Sequence, residues 1–156
     1  MMFLDKEMNL EKELKKAGFD FITLDKEGLP EPYVRAAKYI MDNVVNEDIY
    51  KENDLEIVLV EDYMPMMGMV WRLFIYDRKM AKEILDEMEE EENAINLKRV
   101  IGRSQKVSIY YDVADILGIM GKPYFEIYDG NDVERYFDDE YEALYKNVVD
   151  ILRVRL

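Results

Sequence analysis

The stretch Asp62-Tyr63-Met64-Pro65-Met66-Met67-Gly68-Met69 sets four thioethers within six positions, just ahead of the chain's single tryptophan, Trp71. Soft sulfur at that spacing could ligate Cu(I), and flexible methionine side chains also make adaptable protein-binding surfaces. The chain has no histidine and no cysteine to complete a copper site, so the expected metal set is none. The plainer alternative is a loop whose methionines fold back onto the core beside Trp71. Pro65 and Gly68 favour a defined turn over a mobile tail. Tyr63, Met64, Met66, Met67, Met69 and Trp71 are therefore the candidate partner-binding residues.

Carboxylates are the second source of chemistry. Glu61-Asp62 and Asp112 with Asp115 follow strand-like runs, where strand ends and the loops after them often present functional groups. Either pair could serve as general acid and base or bind magnesium. Against this, 35 acidic residues make some carboxylate proximity inevitable. Asp112 is also well placed to cap a short helix from Val113 by accepting a backbone N–H. Asp129, Asn131 and Glu140 match three positions of a calcium loop, but Glu134 stands where that loop needs its glycine, and a hairpin turn explains them better. Gly118 and Gly121-Lys122 lack the spacing and the Ser/Thr of a phosphate loop. No catalytic residue and no cofactor is assigned.

The wider inventory excludes much of the familiar catalytic repertoire. Ser104 and Ser108 are the only serines and Thr23 the only threonine. Without imidazole or thiol there is no Ser-His or Cys-His pair, no proton shuttle with an unperturbed pKa near neutrality, and no histidine or thiolate ligand for zinc. The net charge is −14, which opposes direct contact with nucleic acid phosphates and anionic membranes. The one basic run, Lys98, Arg99, Arg103 and Lys106, is weak. The acidic run Glu87, Glu89 to Glu92 reads as a solvated helix end, with a basic partner as the functional alternative. A single glutamine and abundant Glu, Lys, Ile and Tyr give a thermophile-like composition, part of which an AT-rich genome would also produce.

With 156 residues, 49% of them hydrophobic, the chain can bury one substantial core and is too apolar for intrinsic disorder. No apolar run reaches the roughly 18 residues of a membrane span, and Asp5-Lys6-Glu7 comes too early for a signal-peptide core. The lack of cysteine fits a cytoplasmic setting. Hydrophobic spacing predicts a short helix over 4–17 and a firm one over 32–45, with Pro32 in its first turn. It predicts strands at 55–60, 69–76 and 107–111, a loop over 62–68, a helix from 78 to about 92 and a short helix over 113–117. Residues 69–76 also fit the start of a long helix, but their Val-Trp-Arg-Leu-Phe-Ile-Tyr composition suits a pleated surface. Strands at 124–128 and 133–137 flank the turn signal Asp129-Gly130-Asn131-Asp132, and Tyr141, Leu144, Tyr145, Val148, Val149 and Leu152 define a C-terminal helix.

These elements imply an α+β fold: one domain over 1–156, mainly helical to residue 50, with an α/β core over 51–156. A mixed sheet of about five strands would be covered by helices, with a helical N-terminal segment and a C-terminal helix. The segment Leu117-Gly118-Ile119-Met120-Gly121-Lys122-Pro123, with the hairpin and helix after it, resembles the back half of a thioredoxin-type domain. In that family a redox cysteine pair follows an earlier strand, where this chain has Met64-Pro65-Met66-Met67. Thioethers cannot exchange with disulfides, so the resemblance implies a redox-dead scaffold.

The functional expectation is a non-catalytic acidic binding or accessory protein acting by protein contact, as a subunit or inhibitor of a larger complex. Its partner would carry a basic surface, without direct nucleic acid or membrane contact, and homo- and hetero-oligomers both remain open. The alternatives are a carboxylate- or magnesium-dependent enzyme and an acidic mimic that occupies a partner's nucleic-acid site.

Overall fold

The computed structural model describes residues 20–87, 103–128 and 132–156. They form one six-stranded sheet in the order β1 (Asp20–Ile22), β2 (Leu55–Met64), β3 (Gly68–Asp77), β4 (Gln105–Asp112), β5 (Tyr124–Tyr128) and β6 (Val133–Phe137). Every neighbouring pair is antiparallel, so the sheet is a meander with no parallel pair. The helices are α1 (Glu31–Val44), α2 (Asp48–Lys51), α3 (Arg78–Glu87) and α4 (Tyr141–Arg155). The α+β class expected from the sequence holds, but the expected mixed sheet is wholly antiparallel, because strands successive in the chain are also neighbours in the sheet and no crossover returns one parallel to another. The five strands read from hydrophobic spacing are all present, and β1, which pairs with Leu59 to Glu61 of β2, is a sixth.

Residues 69–76 lie in β3, which settles the choice between strand and helix. The expected loop over 62–68 is shorter than the sequence suggests, because β2 continues through Glu61 and Asp62 to the pairs Tyr63–Met69 and Met64–Gly68. Residues 113–117 are turns and bends instead of a helix. The proposed helix over 4–17, most of the run Glu87 to Glu92, the basic residues Lys98 and Arg99, and the turn residues Asp129 and Asn131 lie outside the described residues.

Period-two alternation sends one face of the sheet into the core. Paired across strands, Leu59, Leu73, Ile109 and Ile127 make one row, Ile57, Ile75 and Val107 a second, and Trp71, Tyr111, Phe125 and Tyr136 a third. Tyr33, Ala36, Ala37, Ile40 and Val44 form the buried stripe of α1, and Leu144, Val148, Ile151 and Leu152 that of α4; both lie against these rows. Fully burying one such Leu or Ile contributes about 1.5–3 kcal/mol, so this layer dominates the stability of the fold.

Polar groups fix how the helices seat. Tyr39 meets Tyr141 and Tyr145 edge-on at 5.1 and 5.5 Å, joining α1 to α4. Tyr145 donates to Glu47 at 2.8 Å, and Arg155 donates to the Lys106 carbonyl at 3.0 Å. At the other helical junction Asp77 accepts the Met80 N–H at 3.0 Å and caps α3. Arg78 donates to Asp54 at 3.0 and 2.7 Å, fixing the entry to β2 against the start of α3. Tyr33 donates to the Arg72 carbonyl at 2.7 Å, which pins the start of α1 to the middle of β3. Beyond that contact the helix-facing side of the sheet runs on toward the β2–β3 turn.

Candidate functional site at the end of the sheet

The β2–β3 connection is a tight turn in which Met67 donates its N–H to the Met64 carbonyl at 3.1 Å. Pro65 occupies the second position and Met66 the third, with φ 69°. That is the pattern of a type II turn, whose third position normally takes glycine because a Cβ is strained at positive φ. Gly68 follows at φ 80°, where glycine is at ease. The turn aims Met66 into solvent, and 79% of its surface is exposed.

The register then places Tyr63 opposite Met69 on the helix-facing side, one row beyond Glu61 and Trp71. Tyr63 is 69% and Met69 42% exposed. Trp71 packs against the core and donates to Glu61 at 3.3 Å, so it supports the exposed row from within. Met64 falls on the opposite face by alternation, and Met64 and Met67 are both half-buried. Of the six candidates, Tyr63, Met66 and Met69 therefore share an exposed position at this end of the sheet.

A second segment completes the surface. Carrying the Trp71–Tyr111 register on by two residues, one row along the same face, would set Val113 opposite Met69. The Ile116 Cδ1 atom lies 3.4 Å from where a Cβ on Gly68 would stand, so the 113–121 loop rests against the hairpin turn. Val113, Ile116, Leu117 and Ile119 are all exposed, Ile116 by 60%. The described residues include eleven exposed large hydrophobic side chains, and seven of them belong to these two segments. Single exposed apolar residues are ordinary, whereas here they are concentrated at one end of the sheet.

Sequence reasoning missed the loop half because Val113, Ile116 and Leu117 fit helical spacing. The signal against a helix was Gly118 and Gly121 close behind, both at positive φ in the structure. Asp112 accepts from the N–H groups of Ala114 and Asp115 at 3.2 and 3.0 Å, the first turn of a cap with no helix after it. Asp115, at φ 46°, accepts from Ile119 at 2.9 Å and from Gly121 at 2.6 Å, with longer contacts to Met120. The loop is thus built around its own carboxylate.

Those bonds also decide the fate of the two carboxylate pairs. Asp112 and Asp115 are engaged in loop construction, and Asp112 also accepts from Tyr124 at 3.3 Å. Glu61 and Asp62 point to opposite faces of β2: Glu61 pairs with Lys26 at 2.9 Å and Asp62 with Arg72 at 3.1 Å. Glu61 and Asp62 therefore do not converge on a shared point. Among the described residues no group of three or more acidic side chains is arranged to hold a metal ion.

The sheet's other face carries a polar row, Arg72, Tyr110, Glu126 and Arg135, in cross-strand register. Tyr110 donates to Glu126, and Arg135 pairs with Glu126 at 2.9 Å. Arg72 bonds Asp62 and stacks 4.5 Å over Phe74. Its Nε is buried and without a hydrogen-bond partner among the described residues. Burial first, and then the bond to Glu126, raises the Tyr110 phenol well above its ordinary value, which keeps it a hydrogen-bond donor. With Asp62 included the charges balance, and the pairs cross-link the strands of this face.

No family model, no curated protein and no solved structure matches this chain. The thioredoxin-type resemblance gains no support from these comparisons, and Met64-Pro65-Met66-Met67 sits in a hairpin turn between two antiparallel strands. No helix among the described residues is long and apolar enough to cross a membrane.

Proposed function

We propose that this chain is a non-catalytic binding or accessory protein of the cytoplasm, acting as a subunit or inhibitor within a larger complex. It docks through the apolar end of its sheet onto a protein partner with a basic surface. Tyr63, Met66, Met69 and Ile116 form the desolvated centre, with Val113, Leu117 and Ile119 around them. The observation that carries this reading is the convergence of seven of the eleven exposed large hydrophobic side chains on two touching segments.

The chemistry suits such a contact. Methionine adapts to irregular partner surfaces, and tyrosine is common among residues that dominate binding energy. The acidic side chains beside the patch, Glu61 and Asp62, are already paired, so desolvating the centre strands no lone carboxylate there. The chain's net charge of −14 then acts at longer range, drawing in a cationic partner and discouraging self-association. A non-glycine residue held at positive φ at the tip fits the same reading, since backbone strain of this kind clusters at binding and active sites.

The test is capture from native host extract by tagged protein, with nuclease present, at low and high salt. The captured partner is then purified and its affinity measured against wild type and Met66→Glu. A stoichiometric partner that binds Met66→Glu at least about tenfold more weakly supports the proposal, since a buried unpaired carboxylate costs well over 1.4 kcal/mol. Unchanged affinity with normal circular dichroism removes it.

A further inference from the structure

We infer that Met66 and Met69 are a paired oxidation site through which hydroperoxides turn off the apolar sheet end. The consequence for docking rests on the function proposed above, whereas the chemistry stands on geometry alone. The chain has no cysteine, so its thioethers are its only oxidisable sulfur. Seven methionines lie among the described residues. Met41 packs against the core, and Met64, Met67, Met80 and Met120 are half-buried. Met66 and Met69 are the two that are exposed, and both belong to the patch.

Their placement has separate structural causes. Met66 occupies the positive-φ position of the turn, which sends its side chain outward. Met69 stands opposite exposed Tyr63, one row past the end of the core. Oxidation needs only that a hydroperoxide reach a sulfur lone pair. The sulfur attacks the terminal peroxide oxygen, an S–O bond forms and the O–O bond breaks. The thioether loses two electrons and becomes the sulfoxide, while the hydroperoxide is reduced to water or an alcohol. Solvent carries the proton to the departing oxygen.

The product is a strong hydrogen-bond acceptor in place of an adaptable apolar group. In the centre of a desolvated contact that dipole has no donor waiting, so affinity falls by about tenfold or more per sulfoxide. The change is reversible by thiol-dependent methionine sulfoxide reductases, which gives the surface two states.

The experiment uses the full chain and hydrogen peroxide, with no partner needed for its first stage. A time course is read by peptide mass spectrometry, and each sample is run on a phenyl matrix as a probe of the exposed apolar surface. The expected result is sulfoxide at Met66 and Met69 before Met41, Met80 and Met120, with retention falling in step. The M66L/M69L double variant should keep its retention under the same treatment. Oxidation spread evenly over these five methionines overturns the inference, as does selective oxidation with unchanged retention. Partner affinity of the oxidised protein is then compared with that of M66L/M69L. If Met66→Glu weakens the partner but selective oxidation does not, the switch fails while the docking reading stands. If oxidation is selective and retention falls but Met66→Glu binds normally, the docking reading fails and the oxidation site stands.

Discussion

The Asp115 carboxylate accepts the backbone N–H of Gly121 at 2.6 Å, across six residues of chain, and so closes the loop that displays Ile116, Leu117 and Ile119. A carboxylate that gathers several backbone donors takes over the work of regular secondary structure, which is why a helix-like sequence forms no helix there. Asp115→Ala should remove these charge-assisted bonds and lower stability by about 1–2 kcal/mol, moderated by the loop's access to water. Hydrogen exchange should accelerate at Ile119, Met120 and Gly121 and remain slow in β3 and β4. Unaltered exchange in the loop would show that the carboxylate does not hold it.

Met66 at φ 69° opposes local backbone preference for the sake of an exposed side chain. Met66→Gly relieves about 1–2 kcal/mol of steric cost and gives back about 0.4–1 kcal/mol through a freer unfolded chain. Chemical denaturation should therefore show a variant equal to or slightly more stable than wild type. The same variant should bind the partner less well, having lost the central side chain. A clear loss of stability would mean that the methionine packs in the free protein.

Trp71 was legible from sequence as a candidate contact, but its ring packs against the core. Trp71→Ala should cost about 2–4 kcal/mol in urea unfolding, part of the range for deleting a large aromatic group that is not wholly buried. Tyr63→Ala, one row out, should change stability by less than about 0.5 kcal/mol. Similar values for the two would contradict the placement of the core boundary between them.

Alkaline pH should destabilise the fold through its tyrosines. Burial, followed by the charge of Asp112, pushes Tyr124 up to about 12, and burial with the Glu134 hydrogen bond pushes Tyr136 up to about 12. Burial and carboxylate partners also raise Tyr110, Tyr111 and Tyr145 from an ordinary value of 10.0. Below that value both states hold their phenolic protons and this contribution to stability is complete. Above it the unfolded chain ionises while the folded one resists, so stability falls from pH about 10 through the folded values. Denaturation midpoints measured across that window should drop, with phenolate absorbance appearing together with unfolding. A level midpoint through pH 12 would refute the assignment.

Much of the fold can be read from short apolar runs rich in β-branched and aromatic residues. Leu59, Leu73, Ile109 and Ile127 belong to such runs, and the register joins them in one row. β1 is only three residues long, too short for any period to register, and its existence depends on β2 offering an edge. Only the outer end of β2, residues 61–64, was hidden, because Glu61 and Asp62 break the apolar run and are held by Lys26 and Arg72. As for the site, the methionine segment was visible by composition, but which methionines face outward depends on the turn. Ile116 was invisible as a neighbour of Gly68, because no local pattern brings residues 68 and 116 together.

The most direct test of the central claim is hydroxyl-radical footprinting of the protein alone and in complex with its purified partner. The account predicts protection at Tyr63, Met66, Met69, Ile116 and Leu117, with Val154, exposed near the end of α4, labelled equally in both samples. Equal labelling of the hairpin and loop in the two samples, with protection elsewhere, would contradict it.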